Sequence, residues 1–446
     1  MSDARFQLIA PLRERRFRLL WTGMTVSLVG DGMMLVAVAI AVFNISNAPT
    51  ALGITMMAIA IPQLVLLLIG GAVSDRIERR KVMIGSDVAR GIAVGALAAL
   101  ASADALRLWH LIVLGAVYGA GSAFFAPAFE SVVPDLVPES MLTQANSLDQ
   151  FVRPAASRLI GPALGGAVIA AVGIGGAFMV DAATFVFSVG CLLYMGAIEA
   201  PAEERSDQTP SIWAEIGEGF RFVRSRTWLW GTLAAATLAY LVFLGPAEVL
   251  LPYVVKNELH ASAASLGLIF SAGGLGAIAA AAIMAQRGIP RRSMTFMYVV
   301  WTLSTLMVAV YGIATARWEL ALACFVFNAM ETAGLVVWLT TKQVLVPSAL
   351  LGRVSSLDWA ISIGLMPVSY ALVGPVSHVI GVQTTLVIAG VLGAVITLSF
   401  LFIPGVRAVE GLVGVEPERR DPAPSEPTAL GAALAFKESP AVPAPR

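Results

Sequence analysis

Leu136-Val137-Pro138 and Ser147-Leu148-Asp149 return unchanged as Leu345-Val346-Pro347 and Ser356-Leu357-Asp358. The offset is 209 residues in both cases (345 − 136 and 356 − 147). Trp21 and Trp109 recur as Trp230 and Trp318 at the same spacing. Matches held in one ungapped register, in a chain otherwise made of apolar runs, mark the duplication of a membrane unit of roughly 200 residues in the same orientation. Parallel repeats about an axis along the membrane normal place a site between two halves, near the bilayer midplane.

Composition agrees with a membrane chain. Of 446 residues 58% are hydrophobic and 13% charged, against about 25% charged in a soluble domain, and the mean hydropathy is +0.81. A net charge of zero gives no argument for a nucleic-acid partner. Cys191 and Cys324 each sit inside an apolar run, and His110, His260 and His378 lack metal-ligand spacing, so neither a disulfide framework nor a metal is expected. The chain carries no GxxxxGK[ST] stretch for nucleotide phosphates, and no cofactor or enzymatic activity is expected. The polar N-terminus leads into an apolar run too long for a cleaved signal peptide.

A spanning helix needs about 20 apolar residues. Runs of that kind predict spans near 18–46, 50–73, 82–102, 107–131, 143–171 and 174–196, then near 227–253, 261–285, 293–315, 317–342, 354–379 and 381–404. Lys and Arg crowd one set of connections (Arg13, Arg15, Arg16, Arg76, Arg79, Arg80, Lys81, Arg205, Arg221, Arg287, Arg291, Arg353), while the other set offers Arg107, Lys256 and Arg317. The positive-inside rule then predicts both termini in the cytoplasm. The expected organisation is a six-helix bundle over 1–196, a cytoplasmic linker over 197–226 ending in an amphipathic surface helix, a second bundle over 227–405, and a disordered Pro- and Ala-rich tail over 406–446.

Gly70-Gly71-Ala72-Val73-Ser74-Asp75-Arg76-Ile77-Glu78-Arg79-Arg80-Lys81 joins the second and third spans on the basic side. It resembles the G-x-L-x-D-R-x-G-R-R/K loop of the major facilitator superfamily, with Gly71, Asp75, Arg76, Arg79 and Arg80 on matching positions and Glu78 in place of a glycine. Gly161-Pro162-Ala163-Leu164-Gly165-Gly166 in the fifth span is similar to the G-P-x-x-G-G signature of exporters in that superfamily. Phe124-Phe125-Ala126-Pro127, Val133-Pro134-Asp135-Leu136 and Gly352-Arg353-Val354-Ser355-Ser356 resemble its siderophore- and macrolide-exporter branch, the transmembrane secretion effectors.

The resemblance implies an all-α membrane protein of twelve transmembrane helices, arranged as two parallel six-helix repeats. It implies that Asp75 latches the inner side against the start of the eleventh span, around Arg353 to Asp358. It implies that the Gly-Pro element packs on the first span and resists leak. It also implies export of a drug or siderophore driven by proton influx.

Charged groups inside a bilayer cost at least a few kcal/mol each and tend to face cavities and partners. Asp31 lies deep in the first span and Glu331 deep in the tenth, both in helices that line the cavity in this superfamily. They are the expected proton-coupling acids, with Arg158 as a counter-charge. Asp149 and Arg153, one turn apart, are spaced to satisfy each other. Asp87 and Arg90 read as scaffold paired with the basic loop. Phe124, Phe125, Trp338 and Trp359 are the candidates for stacking a cargo ring. The expected partners are a small-molecule substrate, protons and the lipid bilayer, with a monomer in a bacterial inner membrane as the working unit. An uncoupled facilitator or importer, and a non-transporting receptor on the same fold, stay open as alternatives.

Overall fold

The computed structural model describes residues 10–74, 77–138, 141–196 and 212–412. They form helices joined by short turns, and no strand occurs among them. Helix is the outcome lipid imposes on such runs, because each N–H and C=O must find its partner within its own segment. The first half comprises α1 (Arg15–Ile45), α2 (Pro49–Ser74), α3 (Arg79–Ser102) and α4 (Leu108–Leu136). α5 starts as Leu142–Pro154, passes through a π-turn at Ala155–Ile160, and runs on with α6 in Gly161–Met195. The second half has α7 (Thr227–Gly245, continued by π-turns to Glu258), α8 (Ala263–Arg287), α9 (Ser293–Ile313) and α10 (Arg317–Leu345). It closes with α11 (Ser348–Ile363, then Met366–Ile380) and α12 (Val382–Phe400).

Eleven apolar stretches among the described residues are long enough to cross a membrane, and one of them, Phe151–Met195, has 45 residues. A straight helix of that length would run about 68 Å, more than twice the hydrocarbon thickness of about 30 Å. Gly173 divides it: its φ of 77° and ψ of 179° reverse the chain between α5 and α6. A β-carbon is strained there, and glycine is not. Gly381, with φ 85°, makes the corresponding turn between α11 and α12. The count of spans is therefore twelve.

The repeat is visible in the helix bounds. α4 and α10 each hold 29 residues, and both their first and last residues stand 209 apart (317 − 108 and 345 − 136). Trp109 and Trp318 are the second residues of these two helices and are exposed, as interfacial tryptophans are. Packing repeats as well. Within the first half α1 packs on α5 and α6, α3 on α6 and α4, and α2 on α4; within the second, α7 packs on α11 and α12, α9 on α12 and α10, and α8 on α10. An even number of spans per half starts both halves from the same face, so the repeats are parallel.

The halves meet chiefly along two helix pairs, α2 with α11 and α5 with α8. Lipid tails are as apolar as leucine, so helices in a bilayer associate where small residues let backbones approach. A methyl added at Gly166 would come within 2.9 Å of the Ala264 Cα, and one at Gly374 within 2.5 Å of the Thr50 Cα.

A surface helix, Ile212–Ser225, precedes α7 and packs on the start of α11, where Glu218 and Arg353 form an ion pair. After α12 the packed chain continues through a 3-10 turn at Val406–Val409, whose two valines are buried. It thus extends beyond residue 405, where the second bundle was expected to end. The rest of the expected linker and tail, 197–211 and 413–446, lies outside the described residues.

Candidate functional site

Charges inside the bundles gather around Asp31 in the first half and Glu331 in the second, and Lys342 of α10 pairs with Asp358 of α11. In the first half Tyr118 of α4 donates to the Asp31 carboxylate of α1 at 2.6 Å. Arg90 of α3 lies 3.7 Å from the other Asp31 oxygen and is paired with Asp87 one turn earlier. Ser188 of α6 donates to Asp87 at 2.6 Å. The Arg90 guanidinium carbon stands 4.8 Å from the Phe125 ring centre and 4.7 Å from that of Phe185. Burying an ion costs several kcal/mol unless partners replace its water. Arg90, buried with two carboxylates and two ring faces, has such partners. Asp181 of α6 is fully buried nearby, and its Oδ2 has no hydrogen-bond partner. Sequence reasoning assigned Asp87 and Arg90 to the basic loop. The structure corrects this: the Asp87-x-x-Arg90 spacing turns both side chains inward, toward Asp31.

In the second half the same helix pair is bridged with the partners exchanged. Tyr240 of α7, the repeat equivalent of Asp31 (240 − 31 = 209), donates to Glu331 of α10 at 2.9 Å. Trp301 of α9 donates its indole N–H to the Glu331 carbonyl at 3.3 Å. Beside them lies a small, half-open cavity of about 30 Å³, lined by Ala235, Ala236, Ala239, Tyr240, Phe243, Trp301, Thr305, Glu331 and Thr397. No ion pair to Glu331 occurs among the described residues. A second acid, Glu248, accepts a hydrogen bond from Tyr370 of α11. The field of Arg158 reaches both Glu331 and Glu248 from α5 across the interface, while its own contact is to Asn328 of α10 at 3.4 Å.

The helix α5 motif sits where the halves and α1 converge. Gly161 lies against Gly32 and the Val29 carbonyl of α1; a methyl at Gly165 would approach the Met33 Cα to 2.8 Å. Gly166 and the Pro162 carbonyl face α8, the latter against Gly267. Pro162 has no N–H to give, and the π-turn at Ala155–Ile160 ends just before the motif. Ser271 of α8 donates to the Leu159 carbonyl at 2.7 Å within this irregular stretch.

On the basic side Asp75 and Arg76 lie outside the described residues, and Gly71 falls within α2. Arg79 pairs with Asp135 at the end of α4 at 2.7 Å. Arg80 donates to the Leu192 and Leu193 carbonyls at 2.7 and 3.2 Å, capping the last turn of α6, where unpaired carbonyls attract a cation. Arg153 meets Asp149 at 3.2 Å. The four aromatic candidates are not brought together. Phe125 is engaged with Arg90, and Phe124 is half-buried beside it. Trp338 is buried against Trp228 and donates to Asp358 at 2.9 Å, while Trp359 is exposed on α11. Trp338 is therefore not a surface a cargo ring can stack on, because both its face and its N–H are already used. Sequence reading also missed Tyr118, Tyr240 and Trp301; applying the 209 offset to Asp31 would have found Tyr240.

Residues 7–419 match the family described as transmembrane secretion effector. Over 359 residues the chain is 27% identical to the enterobactin exporter EntS of Citrobacter koseri, covering 80% of this chain and 84% of that one. It is 27% identical over 398 residues to the multidrug efflux pump Tap of Mycolicibacterium fortuitum, covering 85% and 94%. With the uncharacterized MFS-type transporter YfiS of Bacillus subtilis it shares 29% identity, over 59% of this chain and 62% of that protein. Among solved structures, a bacterial homologue of the iron transporter ferroportin, inward-facing, superposes with a TM-score of 0.65 at 18% identity, covering 87% of this chain and 99% of that one. The nucleoside transporter NupG (D323A mutant) does so with 0.68 at 12% identity, covering 87% and 100%. The twelve-span fold built from two parallel repeats, together with the match along nearly the whole chain, places this protein in the transmembrane secretion effector family of major facilitator transporters.

Proposed function

We propose that this transporter exports small amphipathic molecules from a bacterial cytoplasm by proton antiport. In this reading the half 1–196 rocks against the half 227–405, both termini are cytoplasmic, and the monomer is the working unit. The observation that carries it is the pair of half-buried acid–tyrosine bonds, Asp31–Tyr118 and Glu331–Tyr240, each tying the first and fourth helices of one half. A proton on either carboxylate removes a charge from low dielectric and weakens that tie, which is the differential free energy a shift between two states requires. Relatives that export enterobactin or drugs support the outward direction. The basic α2–α3 loop, with Asp75 reaching the start of α11, is proposed as the inner latch.

Inverted membrane vesicles test this directly. An imposed pH gradient should drive accumulation of a fluorescent efflux substrate in the wild type. Glu331→Gln should lower the gradient-dependent rate at least about tenfold (1.4 kcal/mol), Asp31→Asn less, and Asp75→Asn should slow flux at unchanged abundance. Gradient-driven flux at the wild-type rate in Glu331→Gln, Asp31→Asn and the double variant would remove these acids from coupling. Flux indifferent to the gradient in the wild type would instead favour a facilitator.

A further inference from the structure

Three carboxylates of the first half, on Asp31, Asp87 and Asp181, gather around the Arg90 guanidinium. Asp87 is satisfied on both oxygens, by Arg90 and by the Ser188 hydroxyl. Asp31 has Tyr118 on one oxygen and Arg90 at 3.7 Å from the other. Asp181 of α6 has neither aid. It is completely buried, its Oδ2 has no hydrogen-bond partner, and no cation stands within ion-pair distance of it among the described residues. Its Oδ1 lies 3.4 Å from the Thr184 hydroxyl, but that hydroxyl gives its proton to the Asp181 backbone carbonyl at 2.7 Å. The charged and titratable groups that face Asp181 are Asp31 of α1, Arg90 of α3 and Tyr118 of α4. It reaches the level of Asp31 because Gly30 has no side chain: a β-carbon there would run into the Asp181 carboxyl and the Thr184 hydroxyl. The fold itself asks for no acid at this place, since the repeat equivalent of Asp181 is Gly390 (390 − 181 = 209), packed against Ala309.

We propose that Asp181 is a proton-binding residue of the first half: it stands here as a neutral carboxylic acid and exchanges its proton with Asp31, its neighbour across Gly30, when the halves shift. An ionised carboxylate without donor or cation is costly to bury, and such a group takes up a proton instead. The neutral form suits contacts that the charged form does not. A protonated Oδ1 can donate to Thr184, whose oxygen keeps acceptor lone pairs while its own proton serves the carbonyl. Like-charged carboxylates facing one cation do not all ionise, so Asp31 and Asp181 titrate as a pair. While Arg90 and Tyr118 hold Asp31 ionised, the proton stays on Asp181. Transfer breaks one O–H bond on Asp181, forms one on Asp31, and moves the negative charge to Asp181, where the field of Arg90 reaches it. Protonated Asp31 then loosens its tie to Tyr118. The inference rests on the proposed antiport and adds to it the residue that stores the first half's proton.

Infrared spectroscopy of the purified full-length protein in lipid reads the proton directly, with no gradient. The wild-type spectrum minus that of Asp181→Asn should contain the C=O band of a carboxylic acid at neutral pH, replaced by a carboxylate band as the pH is raised. A carboxylate band at neutral pH, or an acid band that no pH removes, overturns the proposal. Should the variant fail to fold, isotope-labelled aspartate in the wild-type chain gives the same reading: a titrating aspartic-acid band supports the site, and its absence at neutral pH overturns it. In inverted vesicles Asp181→Asn should cut gradient-driven efflux at least about tenfold at unchanged abundance. Efflux at the wild-type rate, with its gradient dependence intact, removes Asp181 and leaves the proposed antiport standing. A titrating Asp181 in a protein whose efflux ignores the gradient keeps the proton site and removes the antiport.

Discussion

Asp31 of the first half has an arginine of its own bundle beside it; Glu331 of the second half has none among the described residues. Asp31 and Asp87 share Arg90, carried on α3 of the same bundle, whereas Glu331 and Glu248 receive only tyrosine hydroxyls from their own bundle. The cation that influences both is Arg158, which belongs to the opposite half. The difference teaches that duplicated bundles need not keep duplicated electrostatics. Glu331 and Glu248 look instead to Arg158 of the other half, so a shift between the halves would change their charge environment.

Removing Arg90 should separate the two halves most sharply. Arg90→Met leaves two carboxylates buried without their cation, a loss of about 3–5 kcal/mol. Thermal unfolding of the detergent-purified protein should show a large fall, largely restored when Asp87→Asn is added. Glu331→Gln should barely move the same transition, because no ion pair is broken. Comparable destabilisation by both substitutions would erase the distinction.

Next in size is the seam between the halves. Gly267 of α8 lies against the Pro162 carbonyl and Gly166, so Gly267→Leu overpacks the α5–α8 contact at a cost of about 1–3 kcal/mol. Each bundle keeps its own core, so the protein should still reach the membrane while efflux in vesicles falls strongly. Normal efflux in this variant would mean that close α5–α8 approach is dispensable.

The smallest effect belongs to the surface. Glu218 of the linker helix pairs with Arg353 at α11, both partly exposed, and such pairs contribute about 0–1 kcal/mol. Glu218→Gln should leave thermal stability nearly unchanged. A large loss would show that the linker helix fastens the second half as firmly as the buried ions fasten the first.

Much of the fold was legible because lipid leaves so few choices. Apolar length and the 209 offset fixed the number, order and parallel arrangement of the spans, and the expected spans 143–171 and 174–196 already stopped either side of Gly173, where the structure turns the chain. The candidate site was legible in part. Asp31 and Glu331 stood out because an acid deep in an apolar run is costly wherever it points. Their partners did not, since a tyrosine, a tryptophan or an arginine three residues after an aspartate is ordinary in any single helix. Trp338 shows the reverse, an aromatic of the right type that is buried against Trp228 with its N–H bonded to Asp358.

The sequence by itself determined what every residue pays to enter the bilayer, and hence which segments span it and that the unit is duplicated. Only the tertiary structure decided which charges meet. Contacts between helices depend on facing angles and on close approach at glycines, quantities that hydropathy does not encode. That is why Arg90 belongs to Asp31, why Tyr240 took the place of an acid, and why Glu331 has no ion-pair partner among the described residues.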